Sequence, residues 1–427
     1  ARPMLAHVCG LAVAILGLFA WGYWLDSYGL LYSTRSGVFY GATYTDVHAK
    51  LVALRLLFAI TCLCAVLLLA NIAARGVVLP LAGVGLWVAT AILAGWLYPS
   101  LVQNFVVKPN EPLREAPFIQ HNIDYTLQAY GLEDIEEMEY PVQGQLTLAS
   151  LEDNEATLSN IRLWDYRPLR DSYRQLQALR AYYEFADVDI DRYYVDGLYR
   201  QMTLAVRELI LGQIPSRNWA TEHLIYTHGY GLVMSPVNEI SPEGQPVLYI
   251  RDFPPQSTPG LEVTRPEIYY GERTEGYVLV KTRQSEFNYP KGDEDVMTTY
   301  EGEGGVRLSG PLKKLLFAYR FGDMNLVLSR YITDESRVML YRNIHQRVRK
   351  CASLLLLYFD PYVVLLDGKL LWIQDAYTYT NRYPYSKPFP GGQFNYIRNS
   401  IKIVISSYDG GMTFYILDPS DPLASAY

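Results

Sequence analysis

The stretch ATEHLIYTHGYG, residues 220–231, holds two of the chain's six histidines, with a glutamate beside the first and a glycine pair around a tyrosine. Glu222, His223 and His228 are the residue types for acid/base work or zinc ligation. A zinc-protease helix places two histidines four apart with a glutamate between them, so that both imidazoles share one face. Here the histidines are five apart and Glu222 precedes both. LIYT between them reads as extended, and residues five apart on a strand point to opposite faces. The expected structure is therefore a strand running into a tight glycine bend. Any partner of His228 must come from elsewhere in the chain.

Three further stretches carry chemistry-bearing residues. DVDIDRYYVDG (187–197) puts Asp187, Asp189 and Asp191 at alternate positions, the spacing that gathers three carboxylates on one strand face. An EF-hand loop would need a glycine at its sixth position and a glutamate at its twelfth, where Arg192 and Leu198 stand. Only an irregular cation site remains as the sharp reading, against a solvated acidic face. YEGEGGVRLSG (300–310) lacks the Gly-Lys-Ser/Thr of a phosphate loop and the dinucleotide glycine spacing, and no cofactor is expected. Residues 313–350 are locally basic within a chain of net charge -7. Lys313, Lys314, Arg342 and Arg349 are candidates for contact with an anionic ligand or lipid. Arg342 and Arg349 would face outward on a helix after Asp334 whose apolar stripe is Val338, Tyr341, Ile344 and Val348. The acidic balance argues against a nucleic-acid partner. The 37 tyrosines, densest in DAYTYTNRYPYS, suit interfaces and packing alike.

The elements that must position these residues fall into two regions. Apolar runs near 7–25, 51–73 and 77–99 each reach or exceed the roughly 20 residues needed to cross a bilayer. They predict a transmembrane helical region over 1–103. Only His7 and Arg55 are ionisable within them, which gives little support to transport through these spans. Arg2 and Arg75 would be cytoplasmic under the positive-inside rule, leaving residues after Pro99 outside. Asp46 or Thr45 reads as the cap of the second helix. Cys351 is the one cysteine in the polar part, so cysteine usage leaves the compartment open.

Residues 104–427 predict a large soluble α+β domain with several antiparallel hairpins. A helix over 116–132 closes at Gly131, and another begins near Arg167. Asp196-Gly197, Asp367-Gly368 and Asp409-Gly410 each stand between β-prone runs as hairpin turns. The Pro- and Gly-rich segment 254–276 reads as a surface loop or a seam between subdomains. The opening residue is not methionine, and a longer protein upstream is expected.

AWGYWLDSYGLLYS, YPSLVQNFVVKPNE, YTHGYGLVMSPVNE, YEGEGGVRL, FAYRFGDMNLVLS and FNYIRNSIKIVISSYDGGMTFYILDPSDP together resemble uncharacterised protein family 0182. The resemblance spans residues 20–422. It implies a large integral protein of bacterial membranes, notably of cyanobacteria and actinobacteria, with about seven spans and an extracytoplasmic domain. It implies no activity and no catalytic residues. The expected role is non-enzymatic, in envelope binding, assembly or transport, with the bilayer and an envelope protein as partners. The competing reading is an extracytoplasmic hydrolase or metalloenzyme at Glu222, His223 and His228.

Overall fold

The computed structural model describes residues 2–74, 76–140, 147–292 and 294–426. The chain forms two compact units. The first comprises residues 1–138 and 379–398, the second 139–378 and 399–427.

In the first unit three helices are long and apolar enough to cross a membrane: α1 (His7–Tyr32), α2 (Asp46–Ala73) and α3 (Val78–Tyr130). The loop before α2 is pinned by the buried Asp46 carboxylate. It accepts from Arg35 Nε at 2.9 Å and from the Thr43 amide and hydroxyl at 3.2 and 3.0 Å. Arg75 lies outside the described residues.

The third helix does not stop at Pro99 as expected. It continues to Tyr130 through π-helical turns at Leu93–Leu97 and Gln103–Val107, and Gly131 closes it in a left-handed conformation. A proline cannot donate to the carbonyl four residues back, which here belongs to Gly95. Lys50 Nζ supplies a donor to that carbonyl at 3.2 Å. At 53 residues α3 is about 80 Å long, well beyond the roughly 30 Å of hydrocarbon. Its C-terminal part joins the tyrosine-rich segment of the same unit. Asn122 Nδ2 donates to the carbonyls of Tyr385 and Tyr40, and His121 and Tyr125 pack against the Tyr385 ring. The compact division therefore falls near residue 138, not at 103.

The second unit is built on antiparallel sheets. Its largest has the order β1 (Tyr183–Phe185), β3 (Leu198–Leu209), β5 (Leu232–Pro236), β6 (Ile250–Arg251) and β7 (Gln256–Ser257). Strand β2 (Asp189–Val195) also pairs with β3. The last eight residues of β3 are all buried, as a central strand covered on both faces must be. Helix α4 (Tyr166–Gln177) covers one face with Leu169 and Tyr173 packed on Phe185, Ala205 and Val233.

Smaller ladders join β4 (Gly229–Tyr230) to β8 (Glu267–Ile268), and β9 (Val278–Val280) to β13 (Arg337–Met339) and β12 (Val306–Arg307). Strand β10 (Glu286–Lys291) pairs with β11 (Glu294–Thr298). A further sheet holds β14 (Leu356–Leu357), β15 (Tyr362–Leu366), β16 (Lys369–Thr380), β17 (Tyr396–Ser406) and β18 (Met412–Ile416). Trp372, Ile403 and Met202 lie in its common core with Ile268 and Tyr270.

All three Asp-Gly sites turn a hairpin, but only two as two-residue loops. Asp196-Gly197 and Asp367-Gly368 have positive φ at both residues, the primed turn that matches strand twist. At Asp409-Gly410 the last pair is Ile405 with Met412, so the loop is longer.

Two expectations fail here. The 254–276 segment is not simply a surface loop: it lies within one unit and carries Ile268, Tyr269 and Tyr270, each at most 1% exposed. No helix begins at Asp334 itself. Val338 sits in β13, opposite Leu279, and the helical residues are α5 (Pro311–Phe321), α6 (Asn325–Leu328) and α7 (Ile344–Cys351). The Asn343 side chain caps α7 by accepting from the Gln346 amide, so the helix holds only Ile344 and Val348 of the expected stripe.

Candidate functional site

The opening stretch folds differently from its reading. Thr221–Ile225 is a π-helical turn, not an extended segment, and its first-turn Glu222 is paired with Arg217. Strand character begins only at Gly229. A Cβ at Gly229 would stand 2.2 Å from the carbonyl oxygen of Arg207 and 2.9 Å from Glu208 Cα, so only glycine lets the chain cross β3 there. Gly231 follows at φ +72°. This crossing delivers His228 into the interior.

His228 has no exposed surface. Its Nδ1 is 2.9 Å from Thr227 Oγ1, and that hydroxyl donates to Glu286 Oε2 at 2.6 Å. The hydroxyl therefore accepts from the imidazole Nδ1–H. The other ring nitrogen lies 3.3 Å from Asn288 Oδ1. Glu286 also accepts from Tyr269 OH at 2.8 Å and from the Tyr300 amide at 3.0 Å.

Arg342 completes the network from the loop before α7. It is 3% exposed, and its guanidinium donates to the carbonyls of Tyr269, at 2.8 Å, and Thr227. Burial lowers the His228 pKa to about 4, and the nearby Arg342 charge acts in the same direction. Burial raises Glu286 above the ordinary carboxylate range against the hydrogen bonds it accepts, and lowers Arg342 to about 10.

His223 belongs to a separate cluster. Its ring stacks on Tyr277 at 4.1 Å, and its Nδ1 lies 2.7 Å from the Tyr277 carbonyl. The Tyr277 hydroxyl and the Trp219 indole, at 2.6 Å, both donate to Asp323 Oδ2. The two histidines do not share a site.

A general base needs a face open to substrate. His228 and Glu286 have none: of the clefts of about 300 and 400 Å³ in this unit, the first is lined by Glu275, Arg320 and, from the network, Arg342, and the second by Arg217 and Arg273. The geometry lends no support to a metalloenzyme at Glu222, His223 and His228. Among the described residues no three His, Cys, Asp or Glu side chains group as metal ligands.

The aspartates also take separate roles. Asp189 Oδ2 accepts from the Val363 amide at 2.8 Å, and burial, with Asp187 and Asp360 nearby, raises its pKa to about 8. The Asp187 carboxylate accepts from the Val188 amide, and Asp191 stands opposite Met202 in the β2–β3 ladder. The basic set divides as well. Lys313 and Arg349 are exposed, Lys314 lies 3.6 Å from Asp334, and Arg342 is buried. The outward Arg342 expected from a long helix is thus overturned, because the residue precedes α7 and folds into the core.

The sequence reading missed the exposed apolar face of α5. Leu312, Leu315, Leu316 and Tyr319 are 67, 52, 58 and 88% exposed, while Phe317, Ala318 and Phe321 on the opposite side join a buried cluster. The signal is the run PLKKLLFAYRF itself, which is apolar on two faces, whereas a surface helix normally keeps one.

The model of "Uncharacterised protein family (UPF0182)" matches residues 1–427. The chain belongs to this family. Members similar to it include UPF0182 proteins of Pelotomaculum thermopropionicum, 47% identical over 423 residues, and Trichodesmium erythraeum, 42% identical over 441. Each alignment covers 99% of this chain and, respectively, 46% and 48% of the relative. A UPF0182 protein of Moorella thermoacetica is 46% identical over 427 residues, covering 99% of this chain and 47% of the relative. The chain thus spans about half the length of the curated relatives it matches. No solved structure matches it.

Proposed function

We propose that this chain is part of an integral protein of the bacterial cell membrane whose sheet-rich unit is a non-enzymatic binding or assembly module on the extracytoplasmic side. The observation carrying this reading is a contrast within the second unit. His228 and Glu286 are sealed in the core, whereas α5 holds four large apolar side chains out to solvent. Contiguous apolar exposure on a folded unit marks an interaction surface. Three membrane-length helices in the same chain support anchoring, and Arg2 and Arg75 support the sidedness.

In intact cells, p-benzoylphenylalanine in place of Leu316 or Tyr319 should give a discrete photo-adduct, and the same group in place of Tyr194 should not. Tyr194 is a control of similar exposure, 74%, at the tip of the β2–β3 hairpin. Adducts absent at both α5 positions would refute a contact function for this face.

A further inference from the structure

The composition of the α5 face narrows what covers it. Helix α5 is 11 residues long, and its outward side chains Leu312, Leu315, Leu316 and Tyr319 follow the i, i+3, i+4, i+7 spacing of a single stripe. The opposite stripe is committed: Phe317, Ala318 and Phe321 pack into the cluster of Leu224, Leu279 and Val338. Leu328 of α6 and Met324, just before that helix, are also exposed, at 71 and 55%.

The same segment holds three exposed cations. Lys313, Arg320 and Arg330 are exposed, the Arg320 guanidinium also donating to the Tyr341 hydroxyl. The carboxylate within the same segment, Asp323, accepts from the Trp219 indole and the Tyr277 hydroxyl and keeps its single negative charge against these three cations. Asp334 stands beside Lys314. The patch is therefore positive on a chain whose net charge is -7. A second copy, bearing that overall charge but the same positive patch, would oppose like charges in a face-to-face pairing.

We propose that α5 and α6 dock on the surface of an anionic phospholipid bilayer. The leucines and Tyr319 would enter the headgroup–acyl boundary while Lys313, Arg320 and Arg330 engage lipid phosphates. An apolar stripe flanked by Lys and Arg, with an aromatic amphiphile on it, is the composition of an interfacial helix. Basic side chains at such a surface each add to the attraction of anionic headgroups. The occupant chosen is the bilayer because the chain itself carries three helices able to enter one. The inference thus rests on the membrane reading above.

The test uses the full chain reconstituted into vesicles, with p-benzoylphenylalanine in place of Tyr319 or, as control, Tyr194. One vesicle set contains phosphatidylglycerol and the other phosphatidylcholine alone. Mass spectrometry after irradiation should find lipid adducts at position 319 in the anionic vesicles and none at 194. Lys313→Glu with Arg330→Glu should lower the adduct yield about tenfold, and added salt should lower it too. Both residues are exposed, and an unchanged thermal unfolding curve verifies the fold of the variant.

Equal yield in phosphatidylcholine would overturn the charge-based proposal. A crosslinked dimer without lipid adduct would replace the bilayer by a second copy. No adduct at 319 from a chain that resists alkaline extraction would refute the docking and leave the membrane reading standing. A chain released by alkali would refute both.

Discussion

Replacing Arg342 by methionine tests whether the buried network holds the fold or serves a surface. The guanidinium donates to the Tyr269 and Thr227 carbonyls in a site that is 3% exposed, and its charge opposes that of the buried Glu286 and Glu208. Methionine fills much of the volume but leaves these carbonyls without that donor and the carboxylates without that cation. Removing one partner from such a buried arrangement costs roughly 3–5 kcal/mol. For a unit of this size each kcal/mol lowers Tm by about 2–4 °C, so the expected fall is roughly 6–20 °C. Arg349→Met, on the exposed side of α7, should stay within about 0.5 kcal/mol of the parent. Thermal unfolding of the detergent-solubilised chain, followed by circular dichroism, reads both. Equal shifts for the two variants would refute the structural role assigned to Arg342.

His228 makes stability pH-dependent with a defined sign. Its folded pKa of about 4 lies below the ordinary 6.5, so the unfolded chain binds the proton first as pH falls. Its contribution is complete above pH 6.5 and about 3 kcal/mol of stability is lost by pH 4; in denaturant titrations His228→Asn should flatten that slope, and an unchanged slope would contradict it. Asp189 works in the opposite direction. Its pKa rises from 3.8 to about 8 on folding, so its contribution is present below 3.8 and lost as pH rises towards 8. Asp189→Asn keeps an acceptor for the Val363 amide and should stabilise the protein at pH 8 by on the order of 2 kcal/mol; a lower Tm at that pH would count against the assignment. Gly229→Ala, forced against the Arg207 carbonyl, should cost roughly 3 kcal/mol in chemical unfolding, while Gly212→Ala, with open space around it, should cost little.

The sequence showed most clearly what depends on local pattern. The apolar runs, the helix closing at Gly131 and the Asp-Gly turns at 196–197 and 367–368 rest on composition and short-range backbone preference. It misled where a long-range contact decides the outcome. Pro99 looked like an exit, but Lys50 supplies a donor to the Gly95 carbonyl and the helix continues. Val338 fits a helical stripe in isolation, yet pairing with Leu279 makes it a strand residue. Arg342 looked like a surface cation because nothing local reveals the two carbonyls, 73 and 115 residues away in sequence, that draw it inward.

His228 was legible only in part. Its separation from His223 was expected for the wrong reason, because a π-helical turn rather than strand parity divides them. Glu286 and Asn288 come from β10, some 60 residues on, and no spacing rule connects them to HGYG. Conversely, the exposed stripe of α5 was present in PLKKLLFAYRF and required only that both faces of the helix be counted.

The proposed function places the chain in a membrane with its sheet-rich unit outside the cytoplasm. Alkaline extraction of bacterial membranes, combined with protease added to spheroplasts, tests both halves in one experiment. The chain should remain in the pellet and be cut from outside at the exposed residues 133–140. Release of the intact chain by alkali would contradict it, as would cleavage there only in inside-out vesicles.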